Sequence, residues 1–447
     1  MPNLSRRTFI LGLTATGVLA SMAAPVLAGD VAALKAVAIT QVYGDGIRFV
    51  AVAVTYSGPV SQGALSTDLF KVAGRTVTDV YPATSADPAD RADAGSVVIV
   101  ALSPDDADAS LAIKAERKDD DIDKDSEKAK GKGGPGKAGD VSISDTSWAK
   151  PVAALDQAMI DLGGGERIAA GSLETSDVRN LIVDDFEQLE WHDPQTGDVL
   201  PYNLFIPKEY DPSKSYPLVN FMHDAGATSN VVRNTLMQGL GAICWASPQD
   251  QAKRPCFVLA PQYSEIIADD DSETSSMLET TINLIKALAD QFSIDRKRIY
   301  TTGQSGGGMM SIAMNIKYPD FFAASFLVAC QWDASLVAPM AGNRLFILVS
   351  QDDSKAFPGQ NAIADALELE GAQIARAEWN GHWNSEQVRS AFNKLDAELA
   401  RINYVTFTKG SVFEDGESRE GASGHRNTWR VAYSIEPIRE WIFRKDA

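Results

Sequence analysis

The pentapeptide Gly303-Gln304-Ser305-Gly306-Gly307 constrains this chain more than any other stretch. It fits the pattern G-x-S-x-G and stands between an apolar run ending at Thr302 and a segment, Gly307 to Lys317, with helical spacing in Met310, Met314 and Ile316. Strand, tight turn and helix in that order hold the central serine on a sharp corner. Gly303 and Gly307 flank the corner because a side chain there collides with neighbouring backbone. The helix N-terminus behind Ser305 favours developing negative charge. Five residues also fit an ordinary turn, so the rest of the chain has to supply the chemistry.

A serine hydroxyl is a poor nucleophile unless a base takes its proton, and that base needs an orienting carboxylate. Both follow Ser305 in the chain. The apolar run in "RLFILVSQDDSKAFPG" delivers Asp352 and Asp353 to the carboxyl edge of a sheet. Asp353 is preferred because it sits further past the strand end, where loop residues carry chemistry; the bland reading of the pair is a helix N-cap or turn acid. Of the four histidines, His425 in "GASGHRNTWR" is read as the base, in a polar loop before a closing helix "VAYSIEPIREWIF". His382, between Trp379 and Trp383, reads as a packed or substrate-wall residue, and His192 lies on an early strand.

His223 follows another apolar strand in "PLVNFMHDAGATS". That loop resembles the H-G-x-G loop that supplies oxyanion donors, with Asp224 at the second position instead of glycine. The donors expected are the backbone N–H groups of Gly306 and Ala225, with Asp224 as the alternative to Ala225. An oxyanion donor of this kind is worth about 3–4 kcal/mol. An acidic side chain beside the hole opposes the anion unless it points away. His223, Gln304 and Trp332 are the candidates for substrate contact, although the side chain of His223 is expected to shape its loop. Trp332, Trp379 and Trp383 fit either a pocket wall or ordinary packing.

The chain changes texture along its length. From Val31 to about Ile113, short apolar runs alternate at period two between Gly, Pro, Asp and Ser clusters, which predicts a small antiparallel β-sandwich. Lys114 to Asp140 is dense in charge and glycine and reads as a flexible insert. After Asp177, strands alternate with helices, among them an amphipathic helix from Met277 to Phe292, and predict a mostly parallel sheet covered on both faces. Expected strands lie near Phe186–Trp191, Leu200–Ile206, Leu218–Met222, Phe257–Ala260, Ile299–Thr302, Ala324–Ala329, Leu345–Val349 and Tyr404–Phe407.

With 60 acidic and 41 basic side chains, the net charge of −19 repels nucleic-acid phosphates and anionic headgroups. Neither nucleic acid nor a stable membrane anchor is expected as a partner. Ser5-Arg6-Arg7-Thr8-Phe9-Ile10, the interrupted apolar run behind it and Val26-Leu27-Ala28 read as a twin-arginine export signal over 1–28, removed before Gly29. Three cysteines exclude a full disulfide framework; Cys244 and Cys256 are either one bridge or two buried thiols. No spacing suggests a metal site, no cofactor is expected, and Asp269-Asp270-Asp271 reads as a solvated loop.

The stretches "YPLVNFMHDAGATS", "FVLAPQYS", "RIYTTGQSGGGMMSIAMNIKYPDFFAASFLVACQWD", "FILVSQDDSKAFPGQNAI" and "GHRNTWRVAYSIEPIREWIF" together resemble bacterial secreted α/β-hydrolase esterases with an immunoglobulin-like N-terminal domain. These are similar to polyhydroxybutyrate-depolymerase-like and feruloyl-esterase-like enzymes, and such chains often carry a peptidase label. The resemblance implies an immunoglobulin-like β domain over 30–177 and an α/β-hydrolase domain over 178–447. It also implies Ser305 as nucleophile, Asp353 as orienting acid, His425 as base and the His223–Gly226 loop as part of the oxyanion hole. The expected activity is hydrolysis of a small-molecule or polymeric carboxylic ester through an acyl-serine. A peptidase with the same residues, or a non-catalytic envelope binding protein, are the alternatives.

Overall fold

The computed structural model describes residues 31–114, 136–144 and 146–444. The export-signal reading and most of the charged insert fall outside them.

The N-terminal half forms a seven-stranded sheet in the order Phe70–Val72, Ala154–Gln157, Gly171–Asn180, Ala33–Tyr43, Gly46–Ser61, Ala94–Leu102 and Val77–Ala83. Gly46, at φ 129°, closes the tight turn between the two longest strands. Period-two alternation then sorts their side chains onto two faces. Val52, Val54, Val98 and Val100 join one apolar cluster, and Val37, Ile39, Ala53 and Ile99 join another. The pairs are antiparallel except Ala33–Tyr43 with Gly171–Asn180, which run parallel. That last strand carries the β domain to Asn180, three residues past the boundary expected from composition.

The larger sheet has nine strands in the order Glu187–His192, Val199–Phe205, Phe257–Pro261, Tyr216–Met222, Ile294–Gln304, Ala324–Val328, Leu345–Ser350, Ile402–Phe407 and Ile374–Trp379. The first two are antiparallel to their neighbours and the rest run parallel. The strands Tyr216–Met222, Ala324–Val328 and Leu345–Ser350 are buried along their whole length and Ile294–Gln304 over its second half, as a sheet covered on both faces requires. The helix Met277–Gln291 covers one side, burying Met277, Leu278, Thr281, Ile282, Leu284, Ile285 and Leu288. The strand Ile374–Trp379 escaped the strand assignments above: at the sheet edge it mixes exposed and buried residues without the apolar run of its neighbours.

Several other expectations are corrected. The closing segment is two helices, Ser423–Ala432 and Glu436–Ile442, parted at Ile435, whose backbone is extended (φ −79°, ψ 96°), with Pro437 in the first turn of the second, where a missing N–H costs no intrahelical bond. Of the two readings of Cys244 and Cys256, the buried thiols hold and need no correction: all three cysteines are free and buried. Asp269 is not solvated: it is 5 % exposed, and its carboxylate accepts the amides of Ala138, Asp271 and Glu273. Through Ala138 and its neighbours, the C-terminal flank of the charged insert is bonded to the larger domain, with Gly139 N–H on the Ile266 carbonyl and Ser142 N–H on the Ser264 carbonyl. The apolar cluster on one face of the β domain also continues into Val219, Phe221, Leu236 and Trp245 of the larger domain.

Candidate active site

Ser305 ends the strand Ile294–Gln304 and caps the helix Gly306–Lys317, at φ 50° and ψ −121°. A non-glycine residue in this region stores roughly 1–3 kcal/mol of strain. Its backbone is held on both sides: Ser305 N–H donates to the Val328 carbonyl (3.0 Å), and Met309 N–H donates to the Ser305 carbonyl (2.9 Å). The turn is also too tight for flanking side chains. A Cβ on Gly303 would lie 2.3 Å from the Gly307 carbonyl carbon, and one on Gly307 would lie 2.0 Å from the Met222 carbonyl oxygen. Backbone cannot yield as a side-chain tip does. Gly307→Ala is therefore expected to destabilise the protein by about 3 kcal/mol or more, read as a large fall in melting temperature or loss of soluble protein.

His425 is brought to Ser305 from 120 residues away: its Nε2 lies 2.9 Å from Ser305 Oγ, and its Nδ1 bonds Asp353 Oδ2. It stands in the first turn of the helix Ser423–Ala432, not in the loop expected for it. Glycines and polar residues around it read as a loop, while the helix is held by the burial of Gly424, Thr428, Trp429 and Ala432. One turn on, the Trp429 ring meets the imidazole edge to face at 4.9 Å.

Asp353 is 3 % exposed, and its other oxygen accepts the amides of Lys355 (3.1 Å) and Ala356 (2.9 Å). Burial pushes its pKa up, but the bond from His425 and the two amides outweigh burial and hold it below the usual carboxylate value. An ionised carboxylate only accepts, so Nδ1 of His425 carries the hydrogen and Nε2 presents a lone pair to the serine hydroxyl. Asp352 borders the same space but has no bond to the imidazole: its carboxylate accepts Gly410 N–H (2.6 Å) and meets Ser350 Oγ at 3.3 Å.

The loop after Tyr216–Met222 closes the other side. The Ala225 amide nitrogen lies 3.7 Å from where a Cβ would sit on Gly306, so this loop passes beside the turn that carries Ser305. The carboxylate of Asp224 is tied down: Oδ1 accepts Gly226 N–H (2.8 Å) and Oδ2 accepts Gln304 Nε2 (2.9 Å). Bound in this way, it satisfies its own turn.

A cavity of about 300 Å³ opens over Ser305 and His425, walled by Met309, Gln331, Lys355 and Asp270. Lys355 and Asp270 form an ion pair across it, and Gln331 Nε2 donates to the same aspartate (2.9 Å). Sequence reasoning missed these three. Lys355 stands two residues past Asp353 and was within reach; Asp270 and Gln331 have no motif, only loops that the fold draws together.

The three candidates for substrate contact do not line this cavity. His223 is buried; its Nε2 accepts Tyr263 N–H (3.0 Å) and its Nδ1–H donates to the Asp224 carbonyl (2.7 Å). Burial holds its pKa below the ordinary imidazole value, so it is neutral and shapes the loop. Gln304 is buried and spends its amide on Asp224, and Trp332 packs into the apolar core behind the sheet. Trp379 is buried and Trp383 half-buried, by a separate cavity, whereas His382 is exposed rather than packed. Among the described residues, no cluster of three or more His, Cys, Asp or Glu side chains is arranged to hold a metal ion.

Residues 35–140 match the family model of the esterase Ig-like N-terminal domain, and residues 274–341 match that of the prolyl oligopeptidase family. A crystal structure of a thermostable esterase superposes with a TM-score of 0.72 at 23% identity, covering 92% of this chain and 98% of that one. The fold is that of an α/β-hydrolase with an immunoglobulin-like N-terminal domain. A feruloyl esterase module from Clostridium thermocellum aligns at 14% identity and TM-score 0.39, over 56% of this chain and 86% of that one. An acylaminoacyl peptidase aligns at 15% identity and TM-score 0.39, over 66% and 46%. No curated protein matches. Each family match covers less than half of the chain: one falls on the N-terminal region, and the other spans Ser305.

Proposed function

We propose that this α/β-hydrolase cleaves carboxylic esters through an acyl-serine intermediate. His425 Nε2 takes the proton of Ser305 as Oγ attacks the acyl carbon, and the Gly306 and Ala225 amides receive the oxyanion. The imidazolium, stabilised by Asp353, then gives its proton to the departing alcohol oxygen as the C–O bond breaks. Water, deprotonated by the same nitrogen, releases the acid and restores Ser305.

The observation that carries this reading is the unbroken hydrogen-bond line from Asp353 through His425 to Ser305, ending at a serine held in strained backbone. Export joins the proposal through the twin-arginine pattern at Ser5 to Ile10. A peptidase is the second reading, supported by the prolyl oligopeptidase match that spans Ser305. The N-terminal match to an esterase domain favours the ester. The two part on the leaving group: p-nitrophenyl acyl esters of increasing chain length are expected to turn over, and peptide p-nitroanilides to turn over at least about a hundredfold more slowly. Turnover of the anilides alone would reverse the choice. If a fluorophosphonate labels nothing, the chain is a binding protein.

A further inference from the structure

The turn that carries the Ala225 amide is held from outside its own domain. Ala225–Ala227 is a single 3-10 turn behind which lies a cavity of about 360 Å³, bordered by Asp224, Gly226, Ala227, Asn234, Trp148 and Trp429. Side-chain packing does not fill this space, so directional bonds must fix the turn. Two come from the β domain. Ser144 N–H donates to the Thr228 carbonyl (2.8 Å), and Thr228 Oγ in turn donates to the Ala225 carbonyl (3.1 Å). Trp148, on the short strand Thr146–Trp148, donates its indole N–H to Asn234 Oδ1 (2.6 Å). Asn234 is 2 % exposed, and its Nδ2 donates to the Ala227 carbonyl (2.8 Å).

The chemistry of this relay is directional. An indole N–H can only donate, so it claims the carbonyl end of the Asn234 side chain and leaves the NH₂ end facing Ala227. Without the indole hydrogen, nothing on that side distinguishes the two orientations of the amide, and the flipped one sets oxygen against oxygen. The indole is itself seated on the Tyr43–Gly46 hairpin: a Cβ on Gly46 would stand 3.4 Å from its ring.

We propose that Trp148 and Asn234 are positioning residues for the oxyanion hole, through which the β domain sets the placement of the Ala225 amide. The inference rests on the esterase reading above and adds to it that the N-terminal domain is a working part of the catalytic centre. Loss of one oxyanion donor costs roughly 10²- to 10³-fold in kcat, and a donor displaced rather than deleted costs less.

The test is Trp148→Phe in the full chain, which keeps an aromatic ring and removes the donor. kcat on a p-nitrophenyl ester is expected to fall about tenfold with KM within about twofold, as for a loss felt only in the transition state. Affinity for a trifluoromethyl ketone, which forms the same oxyanion, is expected to weaken by the same factor. Asn234→Ala is expected to act in the same direction, and the double variant to be no worse than Asn234→Ala alone. Tyr56→Phe breaks a buried bond to Gln157 within the β domain and touches nothing in the relay, so it reports what loss of β-domain stability does by itself. Unchanged kcat and ketone affinity in Trp148→Phe, beside an inactive Ser305→Ala, would overturn this inference and leave the esterase reading standing. A tenfold loss in Tyr56→Phe would also overturn it. If the wild-type chain neither turns over esters nor labels with a fluorophosphonate, both fall together.

Discussion

Ser305→Ala is expected to lower kcat on p-nitrophenyl esters by about 10⁴-fold or more, since the nucleophile of such a triad has no substitute and the residual rate comes from binding and the oxyanion donors alone. The fold should survive, because the serine side chain contributes only its bond to His425, while the strained turn is fixed by backbone bonds to Val328 and Met309. Alanine keeps the positive φ and its strain, whereas glycine does not. Ser305→Gly should therefore be equally inactive but melt higher than Ser305→Ala, by about 1 kcal/mol of stability. Fluorophosphonate labelling should vanish in both variants. Ester turnover that persists in Ser305→Ala at more than about a hundredth of the wild-type rate would place the chemistry at another residue.

The parts of this site that were legible in sequence are those where backbone geometry leaves few choices. A serine between glycines, after an apolar strand and before a helix, can hardly sit anywhere but on a corner, because Gly303 and Gly307 are pressed against backbone on both sides. Asp353 was legible for a related reason: an acid just past a buried strand must find donors, and Lys355 and Ala356 supply them. His425 was chosen by chain order and does lie beside Ser305, but its setting was misread, since the residues that make it helical are those that pack the helix from below, Trp429 and Thr428 among them. Trp332 shows the opposite failure. Large aromatic side chains near a strand end are chosen by the core as often as by a ligand, and burial in the apolar cluster behind the sheet is not written in the neighbouring residues. The walls of the cavity, Asp270, Gln331 and Lys355, come from three loops whose meeting depends on the order of strands in the sheet, which no local pattern encodes.

Asp353→Asn and Asp352→Asn, adjacent in sequence and alike in chemistry, are expected to part by about four orders of magnitude in kcat. In Asp353→Asn, the amide oxygen keeps the bonds from Lys355 and Ala356, so its NH₂ group is left facing Nδ1 of His425. A donor there makes Nδ1 the acceptor and moves the ring hydrogen to Nε2, which then has no lone pair for the hydroxyl of Ser305. An inverted tautomer of this kind costs about 10⁴-fold in kcat while leaving the geometry in place. In Asp352→Asn the side chain still offers an oxygen to Gly410 N–H, and it has no bond to the imidazole, so kcat should remain within about threefold of wild type. Thermal melting of both variants checks that the proteins stay folded, and labelling rates with a fluorophosphonate should follow kcat. If Asp352→Asn is the inactive member of the pair, the orienting acid has been assigned to the wrong residue, and the tight coupling of Asp353 to His425 serves the fold alone.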